Sequence, residues 1–226
     1  MVYVSLRYAC FISYRHGQQP LARRIINDLY DALVNELDLL VDAEADDGPI
    51  AIDRKRLEGG KFYNEELAVS LCESACMVMV FTPVYFSKQH TYCTREYKGM
   101  EALEKERLRL LKSGVDKRNG LIIPVVFRGA QALPKEIEKL RQYYLFDEYT
   151  LADPEISKNP RYVADIKKMA QYIADRFEAV SKLPVDACTQ CENFALPTED
   201  EIRPWLEDNA QDQTVFVLRG GGSNWS

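Results

Sequence analysis

Ala75-Cys76-Met77-Val78-Met79-Val80-Phe81, closed by Thr82-Pro83, is an almost unbroken apolar run of strand length. Alternation of apolar and polar residues would mark a sheet with one wet face. A continuous run marks a strand covered on both faces, the kind that builds parallel α/β sheets. Before it, Ile50-Ala51-Ile52 is a shorter apolar segment ending in Asp53, followed by Arg54-Lys55-Arg56-Leu57-Glu58-Gly59-Gly60, a polar loop bearing paired glycines. Glu65 and Glu66 then fall in the first turns of an expected helix, where the amino-terminal dipole favours negative charge, and that helix should end near Cys72 or Glu73. After it, residues 85–97 form a loop that runs into another helix. This loop lies at the carboxyl end of the central strand, where such sheets carry their ligand sites.

Outward from this centre, the rest of the chain alternates strand and helix. Tyr8 to Tyr14 reads as a first buried strand. Pro20 opens a helix with the stripe Leu21, Ile25, Leu29, Leu33, Leu37, widened by Ala22, Ile26 and Tyr30. Leu39-Leu40-Val41 begins a second strand region, interrupted by an acidic insertion over 42–48. Tyr97, Met100, Leu103, Arg107 and Leu111 keep a helical step. Leu121 to Phe127 reads as a fourth strand, whose internal Pro124 points to an edge or irregular position. A short helix from Pro134 and a last strand at Tyr144-Leu145-Phe146 follow. Asn159-Pro160, a cap residue before a first-turn proline, then starts a helix with the stripe Val163, Ile166, Ala170, Ile173, Phe177, Val180. The prediction is an α/β fold: a doubly wound parallel sheet of about five strands with flanking helices over 1–182, and a small C-terminal extension over 183–226. In the extension, Thr198-Glu199-Asp200-Glu201 reads as a capped helix start and residues 214–218 as a lone strand.

Composition narrows the function. A net charge of −6 argues against a sequence-independent grip on nucleic acid, and the short basic run 54–56 reads as a solvated loop. No apolar stretch has bilayer-spanning length, and residues 1–7 lack a signal peptide's layout, so a cytoplasmic chain with no membrane partner is expected. Cys10, Cys72 and Cys76 lie in apolar surroundings and are expected as reduced thiols. Cys188-Thr189-Gln190-Cys191 has metal-knuckle spacing but no second Cys/His pair nearby. It reads as an incidental pair, and no metal is expected.

Three pieces, in order, resemble the Toll/interleukin receptor (TIR) domain family: Phe11-Ile12-Ser13-Tyr14 its first strand, residues 53–60 the loop after its second strand, and Ser87 through Glu96 its Ser…Trp-Cys-x-x-Glu box. Tyr92 stands where the family usually has Trp. The resemblance implies a flavodoxin-like sheet and, in members that hydrolyse NAD, a catalytic glutamate at the position of Glu96. It also implies that Tyr92 walls a base or nicotinamide ring, that Ser13 and the backbone donors at Tyr14 and Arg15 meet the substrate, and that Asp53 belongs to a loop completing the site of a neighbouring protomer. NAD+ would be the substrate, with no separate cofactor. Glu96 would lie open to a groove at the top of the sheet. The expected protein is an NAD+ glycohydrolase or ADP-ribosyl cyclase, switched on by TIR–TIR homo-oligomerisation in immune or cell-death signalling of the prokaryotic antiphage kind, with residues 183–226 available to a sensor protein.

The residues themselves leave other readings open. An acid in a helix's opening turn stabilises that helix with no chemistry implied. The alternative function is therefore a non-catalytic TIR–TIR signalling module. A phosphoacceptor receiver of similar topology is disfavoured because the first strand ends in Ser13-Tyr14, not in an acidic pair.

Overall fold

The computed structural model describes residues 6–17, 20–43, 45, 48–52, 63–111, 120–149, 155–183 and 191–217. Five strands form one parallel sheet: β1 (Tyr8–Tyr14), β2 (Ile50–Ile52), β3 (Ser74–Phe81), β4 (Ile122–Val126) and β5 (Tyr144–Leu145), in the order β2-β1-β3-β4-β5. This is the flavodoxin-like order, in which the chain crosses from one side of β1 to the other between β2 and β3. All eight residues of β3 are buried, as a strand covered on both faces requires.

The helices are α1 (Pro20–Leu37), α2 (Tyr63–Cys72), α3 (Tyr92–Leu110), α4 (Lys135–Leu140), α5 (Pro160–Ser181) and α6 (Glu199–Val217). On one face α1 packs against α5, which lies on β1 and β3. On the other, α2 lies on β1 and β3 and packs against α3, which lies on β1 and β4. The stripe of α1 buries Ile26, Leu29, Leu33 and Leu37, whereas Leu21, in its first turn, remains 45% exposed. Helix α5 starts where its sequence places it: the Asn159 side chain accepts from the amides of Arg161 and Tyr162, and Pro160 fills the first turn without a wasted donor.

Three expectations are corrected. Leu39 and Leu40 are exposed and begin no strand; the second strand is confined to Ile50–Ile52. Pro124 lies in a strand flanked on both sides, but β5 pairs only with Val125 and Val126, so that ladder makes no demand on Pro124. Residues 214–217 continue α6 instead of forming a strand. Their β-branched residues favour extended backbone, but a lone strand leaves its donors unpaired, while a helix already begun at Thr198 satisfies them locally. That beginning is a reciprocal capping box: Glu201 accepts from the Thr198 amide at 2.7 Å, and the Thr198 hydroxyl accepts from the Glu201 amide at 3.3 Å.

At the amino ends of the strands a buried ionic knot fixes α3 to the sheet. Glu104 accepts both guanidinium nitrogens of Arg141 at 2.8 and 2.6 Å and the amides of Leu121 and Ile122. Arg107, fully buried, donates to the carbonyls of Ser74 and Cys72 at 2.6 Å each. Arg107 occupies an apolar stripe position and is tolerated there because carbonyls at the α2–β3 junction take its protons. Holding α3 by this end sets the phase in which its first turns meet β1.

Candidate active site

The carboxyl end of β1 and the first turns of α3 meet at one buried polar network. Ser13 lies opposite Met79 of β3, and its hydroxyl donates its proton to Glu96 Oε2 across 83 residues of sequence. Having one proton, Ser13 then accepts from the Tyr85 hydroxyl, 2.5 Å away. Tyr85 comes from the turn that follows β3. Its burial pushes the phenol well above its ordinary value, with Cys93 and Glu96 adding to the rise, so it stays protonated and able to donate. Ser13, Tyr85 and Glu96 are 1%, 0% and 4% exposed.

Of the site residues expected from sequence, Ser13 and Glu96 are brought into contact. Tyr14 and Arg15 follow Ser13 directly, both half-buried. The Tyr14 ring stacks on His16 at 4.5 Å, and Arg15 donates to the His16 carbonyl at 3.2 Å. Tyr92 is the first residue of α3, one turn before Glu96, and carries the Arg95 guanidinium 5.8 Å from its ring centre. Asp53, with the rest of loop 53–60, lies outside the described residues. Two further hydroxyls at this end of the sheet, Thr82 Oγ1 after β3 and Thr94 Oγ1 in α3, are buried without a hydrogen-bond partner.

One expectation is overturned: Glu96 is not open. Helix α3 turns it inward onto Ser13, because Cys93, Glu96, Tyr97 and Met100 share the helix face that packs on the sheet. Tyr85 is the residue that the sequence reading passed over. Its signal was present, an aromatic with a polar tip just beyond a fully buried strand, but only the folded turn brings its hydroxyl to Ser13.

The extension also departs from expectation. Cys191 is not an incidental thiol, nor is Cys72 a reduced one: they form a disulfide with Cα atoms 5.6 Å apart, 119 residues apart in sequence. Spacing arguments see only neighbours such as Cys188, which lies outside the described residues. Cys10, Cys76 and Cys93 are buried thiols outside any disulfide; burial pushes the Cys76 thiol to about 12 and the Cys10 thiol well up. Among the described residues no cluster of His, Cys, Asp and Glu could hold a metal, and no helix is long and apolar enough to cross a membrane.

Sheet order and polar network together define an α/β protein of flavodoxin-like fold whose candidate site sits at the carboxyl ends of β1 and β3. No family model matches the chain, and no curated protein matches it. Among solved structures it is similar to the TIR domains of the activated Roq1 resistosome that directly recognises the pathogen effector XopQ, at 19% identity, covering 88% of this chain and 97% of that one with a TM-score of 0.34. The fold assignment stands on the strand order itself.

Proposed function

We propose that the chain is a TIR-type domain that cleaves the nicotinamide–ribose bond of NAD+. One observation carries this reading. The two residues that the sequence resemblance marks from separate motifs, Ser13 and Glu96, are in direct contact at the end of the sheet where doubly wound folds bind ligands. The chemistry suits a single carboxylate. The bond that breaks joins the ribose C1′ to an already cationic ring nitrogen; nicotinamide leaves neutral with the bonding electrons, and no general acid is needed. Because Glu96 is 4% exposed and closed on Ser13, cleavage requires that assembly first open the start of α3; the opened Glu96 then holds the ribose hydroxyls and stabilises the oxocarbenium-like transition state, with Tyr92 walling the ring. Water adding to C1′ gives ADP-ribose and a proton; attack by an adenine nitrogen of the same molecule gives a cyclic product.

In this reading the loop 53–60 of a second copy completes the site, so homo-oligomerisation switches activity, and the protein acts in the cytoplasm as an effector of immune or cell-death signalling. Residues 183–226 remain the proposed contact for a sensor. The burial of Glu96 favours a second reading, a TIR-type signalling module in which the Ser13–Glu96 bond only braces the fold. Loss of NAD+ followed with dilute and with crowded protein separates the two. Wild-type activity that rises with crowding and vanishes in Glu96→Ala supports cleavage, whereas an inactive wild type under both conditions supports the module.

A further inference from the structure

The segment after Cys191 lies along the outside of α2 and α3 as a strap. Its amino end is fastened to the end of α2 by the Cys72–Cys191 disulfide. Next, Leu196 and Phe194 close on Gly99 of α3; a Cβ at Gly99 would lie 3.0 Å from the Leu196 side chain, so glycine permits this approach. Arg95 donates to the Pro197 carbonyl at 2.6 Å, and the Thr91 hydroxyl, at the start of α3, donates to Glu199 at 2.8 Å. Trp205 ends the contact, stacked on Tyr97 at 5.8 Å with the Lys98 ammonium 4.5 Å from its ring centre.

Trp205 also reaches the polar network through one intermediate. Its ring meets Phe86 edge-on at 4.9 Å, and Phe86 meets Tyr85 edge-on at 4.7 Å; Tyr85 is the donor to Ser13. Residues 82–91 join β3 to α3 with no regular element longer than a turn; Tyr85 is held there by its amide hydrogen bond to the Thr82 carbonyl, by the Ser13 hydroxyl and by ring contacts with Phe81 and Phe86, and only the Phe86 contact continues to the strap. The strap thus bears on the network from two sides: on the first turns of α3 through Arg95 and Thr91, and on the Tyr85 turn through Trp205.

We propose that residues 191–206 are a redox-sensitive brace: with Cys72–Cys191 oxidised the strap holds Tyr85 and the first turns of α3 in the geometry that orients Glu96, and reduction of the disulfide slackens that geometry. Cys72 is fully buried and Cys191 half-exposed, so a dithiol reductant attacks the Cys191 sulfur and Cys72 leaves as thiolate. The reductant's second thiolate then attacks the mixed disulfide, releasing Cys191 and closing the reductant's own disulfide. Two electrons pass to the protein, and the two protons from the reductant end on Cys72 and Cys191. The cysteine thiols outside this bond among the described residues, Cys10, Cys76 and Cys93, are buried, whereas Cys191 is half-exposed. A disulfide that opens and closes is also the form such bonds usually take in a reducing compartment. The inference concerns geometry and stands whether or not the network cleaves a dinucleotide.

The test is hydrogen exchange on the full chain, oxidised and then treated with dithiothreitol, with a non-reducing peptide map beside it. The map should yield a Cys72–Cys191 linked peptide. Reduction should raise exchange in residues 84–96 by about tenfold while β3 stays protected. Trp205→Ala, which removes the ring link and keeps the disulfide, should loosen the Tyr85 turn in the same way. In a Trp225→Phe background, where Trp205 is the remaining tryptophan, its emission should shift to the red on reduction. Three results would overturn the proposal: a peptide joining Cys188 to Cys191 instead, unchanged exchange over 84–96 once the bond is reduced, or loss of protection throughout β1 and β3, which would make the bond a global staple.

Discussion

Removing the Ser13 hydroxyl tests whether the buried network is one coupled unit. In Ser13→Ala the Glu96 carboxylate loses a donor and the Tyr85 phenol is left without its acceptor, at positions 4% and 0% exposed. A hydrogen bond to a charged group contributes about 1.5–3 kcal/mol, and an orphaned buried hydroxyl costs about 1–3 kcal/mol; about 3 kcal/mol of destabilisation is expected. Tyr85→Phe keeps the ring and its packing on Phe86 but removes one donor, for about 1 kcal/mol. In the double variant no phenol remains to be orphaned, so the second substitution should restore about 1 kcal/mol instead of adding to the loss, and the coupling between the two sites should be about 2 kcal/mol. Urea unfolding followed by circular dichroism, with all four proteins sharing one slope, gives each value. Additivity within about 0.3 kcal/mol would refute the claim that Ser13 and Tyr85 act together on Glu96.

Two further outcomes follow from other parts of the fold. Glu104→Ala strands the half-buried Arg141 guanidinium and two strand amides, and should cost about 3–5 kcal/mol by urea unfolding, whereas Glu106→Ala, whose partner Arg109 is exposed, should cost under about 1 kcal/mol. Alkali should also destabilise the fold. The Cys10 and Cys76 thiols are pushed up by burial from an ordinary 9.0, Cys76 to about 12, so the unfolded chain gives up these protons first. Stability is then full below pH 9 and falls as pH rises toward 12, by about 2 kcal/mol from pH 9 to 11 for Cys76, with Cys10 acting in the same direction; a flat profile over that range would contradict their burial.

Much of this architecture was legible in the sequence because its central strands β1, β3 and β4 are buried on both faces and announce themselves as continuous apolar runs. The run 75–81 needed no partner to be recognised, and Asn159-Pro160 marked the start of α5 through local chemistry alone. What escaped depends on distant residues meeting. The Ser13–Glu96 bond needs the β1–β3 register and the rotation of α3 at once, and the Cys72–Cys191 pair joins segments with no local signal between them. The inward turn of Glu96 escaped for the same reason: an acid in an opening turn looks solvated until the helix is docked. At residues 214–217 local β propensity pointed the wrong way, since a helix already nucleated outweighs it.

Contact between Glu96 and a ribose is tested most directly by the structure of concentrated protein with an NAD+ analogue whose nicotinamide-side ribose ring oxygen is replaced by methylene, which blocks cleavage. The expected result is an analogue seated at the carboxyl ends of β1 and β3, with a ribose hydroxyl about 2.6–3.2 Å from the Glu96 carboxylate. An analogue bound elsewhere, with Glu96 still closed on Ser13, would contradict it.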